Sequence, residues 1–214
     1  MKRNEGAPRP PRRLSPEKID ETILNTAFND VLQYGFRAVS IDSISAKTRI
    51  AKTSIYRRWP NKAALVMDAF LHRIGPGIVF PRSASPVESI RLQMLALARA
   101  FRGPFGKITK ALLGEAQFDA ALAEAFLSRW IVPRRASARE AFQAAINCGE
   151  LRPEIDLDEA LDALYGGLYY RLMIGNGPLS DVYVRGIFTR VMSGLALPTQ
   201  PSPVLPRARR KHFR

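Results

Sequence analysis

Between residues 17 and 195 hydrophobic positions recur at three- and four-residue steps, the spacing that gathers apolar side chains on one face of an α-helix. In residues 17–34, Ile19, Ile23, Ala27, Phe28 and Val31 follow this rhythm; Ser15 and Pro16 supply a cap and a first-turn residue, and Gly35 ends the run. Ser40 caps a second helix with Ile41 and Ile44 on one face. A third spans about 52–59 and stops at Pro60, because the residue before a proline is pushed out of helical geometry. Asn61 caps a fourth, KAALVMDAFLHRI, which GPG at 75–77 closes. Beyond it the pattern predicts helices near 87–102, 105–117, 119–131, 133–148, 157–174 and 180–195. Pro133 suits a first turn better than a helix interior, so IVP at 131–133 marks a break or kink. No segment alternates with period two and no repeat is evident. The predicted fold is all-α.

The stretch GPGIVFPRSASP, residues 75–86, holds three prolines and two glycines and reads as a connection between two units. The expected organisation is a small helical unit at 17–75 and a larger one at 76–197. The flanking tails, 1–16 and 198–214, are rich in proline and arginine, a composition expected to remain disordered. A chain of 214 residues with 46% hydrophobic content has material for a substantial core. Its formal net charge of +14 favours an anionic partner, nucleic acid or a membrane surface, although most of that excess lies in the tails. No secretory leader or apolar run long enough to span a bilayer occurs, so a cytoplasmic protein with no membrane partner is expected. Cys148, with only His72 and His212 as histidines, offers neither a disulfide nor a metal cluster; it reads as a small apolar residue near a helix end. No acid/base pair, nucleophile set or phosphate loop emerges, so neither a cofactor nor an enzyme is expected.

Within the chain the positive charge is focused. Residues 40–62 contain Lys47, Arg49, Lys52, Arg57, Arg58 and Lys62 against the single acid Asp42, whereas helix 17–34 carries four acids and only Lys18. The same segment pairs two short helices across a turn of about four residues, the spacing of a helix-turn-helix. At about 100° per residue, Ala51, Ile55 and Trp59 share one side of its second helix. Lys52, Thr53, Tyr56 and Arg57 project from the other. A helix anchored on one flank and presenting donors on the other fits the major groove of DNA, and clustered cations serve its phosphates.

The segment YGFRAVSIDSISAKTRIAKTSIYRRWPNKAALV, residues 34–66, resembles the amino-terminal DNA-binding domain of TetR-type, tetracycline-repressor-like, transcriptional regulators. The resemblance runs without a gap from Gly35-Phe36 through Tyr56, Trp59-Pro60 and Lys62 to Leu65. It implies that Tyr56 and Lys62 hold phosphates, that Ser40 offers donors to another, and that Lys52, Thr53 and Arg57, with Ser54 beside them, reach base edges or nearby backbone. Arg58 is left between a phosphate contact and an ion pair within the chain, and Trp59 is scaffold. Two positions depart from the pattern. Arg49 stands where the family commonly has glycine, and Ala51 replaces a capping serine, so a strained or altered turn is expected.

In the remaining chain, Leu161, Leu164, Leu168 and Leu172 form one stripe and Val184, Ile187, Phe188 and Val191 another, compatible with either an intrachain core or a dimer seam. Gly166 and Gly167 suggest close approach by another backbone. The family resemblance implies a dimer through these two helices. Phe101, Phe105, Phe118, Phe126, Trp130, Phe142, Tyr165, Tyr169, Tyr170 and Met173 give an aromatic-rich interior that suits an apolar or aromatic effector of unknown identity. The expected function is a homodimeric, small-molecule-responsive regulator, a repressor on a palindromic double-stranded DNA operator. The alternative is a sequence-indifferent, nucleoid-type DNA-binding protein driven by its basic tails.

Overall fold

The computed structural model describes residues 15–74 and 78–196. Its helices are α1 (Pro16–Tyr34), α2 (Ile41–Thr48), α3 (Lys52–Tyr56), α4 (Lys62–Ile74), α5 (Pro86–Phe101), α6 (Pro104–Ala116), α7 (Ala120–Phe126), α8 (Val132–Asn147), α9 (Leu157–Ile174) and α10 (Asp181–Leu195). A π-turn, Leu127–Ile131, joins α7 to α8. The described residues are all-α; the one β contact among them is an isolated bridge between Leu151 and Ala196. Both tails and the GPG at 75–77 lie outside the described residues.

Local chemistry accounts for the helix starts. Side-chain oxygens of Ser40, Asn61, Ser85 and Asp119 accept from the amide N–H three residues on, at 2.8–3.1 Å, satisfying donors that the first helical turn leaves unpaired. Pro16, Pro86 and Pro104 occupy first-turn positions, where a missing N–H costs nothing. Gly35 and Gly175 close α1 and α9 with positive φ of 82° and 74°.

Two elements differ from the sequence expectation. α3 ends at Tyr56, not Trp59: Arg57 and Arg58 continue as a tight turn in which Arg58 N–H reaches Ile55 C=O at 3.0 Å, before Pro60. The break expected at IVP is a widened turn inside one continuous rod. Pro133 in the first turn of α8 has no N–H to give backwards, and the π-turn before it takes up the mismatch.

α1 packs along α4, α2 crosses α1, and α3 rests on α2. α4 continues onto α7 and the π-turn; α5 packs against α8 and α10; α9 lies beside α10. A single buried cluster therefore runs from Ile23 and Ile55 through Phe70 and Trp130 to Leu164 and Val184. At the α5–α6 corner the backbone passes so close that a Cβ on Gly106 would lie 1.9 Å from the Phe101 carbonyl oxygen, so only glycine fits there.

Candidate nucleic-acid interface and interior cavity

The turn between α2 and α3 keeps the geometry a glycine would favour although an arginine occupies it. Arg49 sits at φ 58°, ψ 27°, the one non-glycine among the described residues with positive φ. Side chains of α2 hold the turn: Thr48 Oγ1 donates to Ile44 C=O at 2.7 Å and accepts from Ile50 N–H at 3.3 Å, while Ser45 Oγ donates to Ile50 C=O at 2.7 Å. Ala51 then starts α3 with no side-chain cap. The Cβ strain at Arg49 is relieved by glycine, so Arg49→Gly should stabilise the fold by about 1 kcal/mol and raise the thermal midpoint by about 2–4 °C, read by calorimetry.

α3 is clamped on one flank and open on the other. Ile55 and Trp59 are fully or nearly fully buried, and Trp59 Nε1 donates to Asp68 Oδ2 at 2.9 Å. Lys52, Thr53 and Arg57 are exposed, and Tyr56 is 50% exposed, side by side on the outer flank. Ser40, exposed, caps α2 with its hydroxyl oxygen. Lys62, half-buried in the first turn of α4, extends over the Phe36 ring and donates to the Phe36 C=O at 3.2 Å. Arg58 and Ser54 are placed differently from the outward group. Arg58 pairs with Asp20 of α1 and donates through Nη1 to Ser54 Oγ at 2.8 Å and to Ser54 C=O at 2.9 Å, which fastens α3 to α1. For Arg58 the structure therefore takes the intrachain ion pair, and Ser54 serves the same clasp.

The acid on this face is Asp42, whose carboxylate lies 2.8 Å from Lys52 Nζ, both well exposed. The hydrogen bond from Lys52 to Asp42 raises the lysine's pKa and keeps it charged. Asp42 both repels phosphates and occupies a cation. Asp42→Asn should therefore tighten binding to any duplex several-fold at low salt and steepen the dependence of log affinity on log salt by about one. Binding isotherms at four or more salt concentrations would read both.

Behind the interface lies a cavity of about 400 Å³ walled by α5, α6, α7, the π-turn, α8 and α9. Of the aromatic residues expected in the interior, Phe126, Tyr165 and Tyr169 border it. Phe101, Phe105 and Trp130 instead build a ring stack with Phe70 beside it, at centroid separations of 5.0–5.5 Å, and Phe142 is fully buried in the core. Met173 is half-buried away from the wall. Phe118 is a correction: it follows α6 in the turn before Asp119, where its side chain is 83% exposed. Tyr170, also placed in the interior by sequence, is more than half exposed.

The wall includes residues that the aromatic count passed over, among them Leu97, Leu113, Ile131, Gln93 and Arg134. The aliphatic ones carry the same helical periodicity as the core, so spacing alone could not separate lining from filling. Arg134 lies with its guanidinium carbon 3.1 Å from the Trp130 ring centroid. Burial pushes its pKa down to about 10. Burial likewise raises the Tyr165 and Tyr169 hydroxyls, which stay protonated.

Of the two C-terminal stripes, the single chain buries a part of each. Leu161, Leu164, Leu168, Val184 and Phe188 are buried within the single chain, and Leu172, Ile187 and Val191 pack partly buried against the same core. The close approach at the glycine pair is by side chains, not by backbone, and at Gly167 alone: a Cβ there would meet Ile187 Cδ1 at 2.5 Å, whereas Gly166 faces open space. The exposed apolar residues of these helices are Tyr170, Ile174 and Val182.

Residues 23–69 match the family model described as "Bacterial regulatory proteins, tetR family", and residues 80–191 match "Tetracyclin repressor-like, C-terminal domain". The chain is 35% identical over 179 residues to the HTH-type transcriptional regulator YdeS of Bacillus subtilis, covering 84% of this chain and 90% of YdeS. It is 25% identical over 187 residues to the DNA-binding transcriptional repressor TetR of Mycobacteroides abscessus, covering 85% and 96%. Among solved structures, the TetR family transcription regulator SCO0332 superposes with a TM-score of 0.71 at 29% identity, over 84% of this chain and 100% of that one. The Bacillus subtilis regulator FadR in complex with stearoyl-CoA shares the fold, with a TM-score of 0.64 at 15% identity over 82% and 98%.

Proposed function

Because the chain belongs to the TetR family of helix-turn-helix transcriptional regulators, we propose that it acts as a homodimeric repressor of a palindromic operator, released when a small molecule enters the interior cavity. The observation that carries the reading is the outer flank of α3. Lys52, Thr53, Tyr56 and Arg57 are exposed together on a helix whose opposite flank is locked by Ile55, Trp59 and the Arg58–Asp20 pair. In this proposal Tyr56 and Lys62 bind phosphates, as do the Ser40 helix start and Arg49, while Lys52, Thr53 and Arg57 reach the base edges. Residues 17–75 serve as the reading head and 76–197 as the effector-binding and dimerisation unit. Two heads about one DNA turn apart supply discrimination that one half-site lacks. The second copy meets the faces of α9 and α10 that carry Tyr170, Ile174 and Val182, because Leu161, Leu164 and Leu168 are buried inside the chain.

A short chain of contacts supports effector control. Asp68 of α4 accepts from Trp59 Nε1, in the turn after the reading helix, and pairs with Arg129 of the π-turn. The next residue, Trp130, stands against the cavity wall through Arg134 and Tyr169. A ligand that displaces the π-turn is felt at Trp59, and by linkage DNA must weaken the ligand to the same degree. To test the reading, affinity is measured for duplexes from the promoter of its own or an adjacent gene and for random duplex, from low to physiological salt. The expected result is a preference of at least 10³-fold for one site at physiological salt. Equal affinity for both would overturn the operator reading in favour of sequence-indifferent binding.

A further inference from the structure

The cavity wall presents hydrogen-bond donors that the chain itself does not satisfy. Arg134 Nε is buried and has no hydrogen-bond partner; its Nη1 reaches only the Trp130 carbonyl, at 3.5 Å. No carboxylate among the described residues pairs with it, and two acids of α9, Asp158 and Asp162, are taken by the adjacent Arg135. Gln93 is 3% exposed and accepts the Tyr165 hydroxyl proton on Oε1 at 2.6 Å, which leaves its amide N–H groups over. Tyr169 accepts from Trp130 Nε1 at 3.0 Å and keeps its own proton to give. Gln93, Tyr169 and Arg134 all border the cavity; the rest of its wall is chiefly Leu, Ile, Ala and Phe, together with the Arg135–Asp162 ion pair.

Such a site is costly without an occupant. A guanidinium still charged at neutral pH, half-buried among apolar groups with an unmet donor, is disfavoured against a hydrophobic side chain of like volume. An occupant that repays the cost brings acceptors to three donors and an apolar body to the remaining wall. Gln93 and Arg134 also border a second, more polar cavity of about 480 Å³ beside Phe80, Pro81, Ser137 and Glu140. Gln93 and Arg134 thus stand where the two spaces adjoin, next to the connection between α4 and α5. Glu140 places an exposed carboxylate on that outer side, which disfavours a head group of high negative charge.

Resting on the reading that this cavity holds the effector, we propose that the effector is an amphipathic monoanion whose carboxylate is gripped by Arg134, Gln93 and Tyr169 and whose apolar body fills the space against Leu97, Phe126 and Ile131. The planar guanidinium matches a carboxylate bidentately. The test titrates the full-length protein calorimetrically with three probes of equal chain length: decanoate, decanol and decyltrimethylammonium. Decanoate should bind about 10–100-fold more tightly than decanol, as a charge-assisted hydrogen bond predicts, and the cation weakest. Arg134→Met should abolish that preference while leaving decanol affinity within about threefold, and should raise the thermal midpoint of the ligand-free protein. Should that variant not fold, Arg134→Lys serves: it retains a preference for decanoate over decanol with reduced affinity. Equal binding of decanoate and decanol, or a preference that survives Arg134→Met, overturns the anion assignment and leaves the cavity as a ligand site. Failure of all three probes to bind overturns the cavity reading as well.

Discussion

Joint replacement of Lys52, Tyr56 and Arg57 by alanine is expected to lower operator affinity by about 10²–10⁴-fold while leaving the fold intact. Each base or phosphate contact of this kind contributes about 1–3 kcal/mol, and the three residues occupy one contiguous flank, so their losses combine on a single groove. None of the three contributes to the core. Lys52 and Arg57 are exposed, the Tyr56 ring is half in solvent, and the Lys52–Asp42 pair is a surface ion pair of little stabilising worth. The thermal midpoint should therefore move by no more than about 2 °C. Arg57→Ala alone should also relax base preference, whereas Tyr56→Ala should weaken all duplexes alike. Electrophoretic mobility shifts with operator and random duplex would read this, beside a thermal melt. Unchanged operator affinity in a folded triple variant would show that α3 is not the reading helix.

Trp130→Ala carries the largest expected cost to stability, about 3–5 kcal/mol. Trp130 is fully buried on the π-turn, with ring centroids of Phe70 and Phe105 each at 5.3 Å, and the Arg134 guanidinium covers its face. Its Nε1–H also satisfies Tyr169 at 3.0 Å. Alanine would open a void between α4, α6 and α8 and strip Arg134 of the surface on which it lies. The thermal midpoint should fall by about 6–20 °C at fixed protein concentration, checked by denaturant titration. Trp130→Phe keeps much of the volume but not the donor, and should cost a fraction of that amount. A loss below about 1 kcal/mol for the alanine variant would mean that the ring stack does not hold the π-turn.

These two sites are joined by little covalent machinery. Asp68 divides its oxygens between Trp59 of the reading head and Arg129 of the π-turn, so one carboxylate on α4 registers the position of both. π-turns accommodate an extra residue within a helix, and they recur at functional sites. Here the turn sits between the ion pair that reaches α4 and the wall that carries Arg134. A ligand that pulled on Arg134 would act directly on the first turns of α8, and through Trp130 on the aromatic stack against Phe70.

Helix positions and several of their caps were legible from the chain alone, because each depends on residues within about four positions: the Ser15, Ser40 and Asn61 oxygens reach only their own first turns. The two flanks of α3 were legible for the same reason, since the helical repeat separates Ile55 and Trp59 from Lys52 and Tyr56 whatever surrounds them. Tertiary structure alone decided what each apolar stripe meets. Leu161, Leu164 and Leu168 would suit a second copy as well as their own chain, and only the packing of α9 beside α10 and against α5 spends them internally. It alone turned Phe118 to solvent and paired Arg58 with Asp20. It also stranded Arg134 away from the acids that its neighbour Arg135 reaches, because burial and ion pairing are set by residues distant in sequence, which periodicity does not encode.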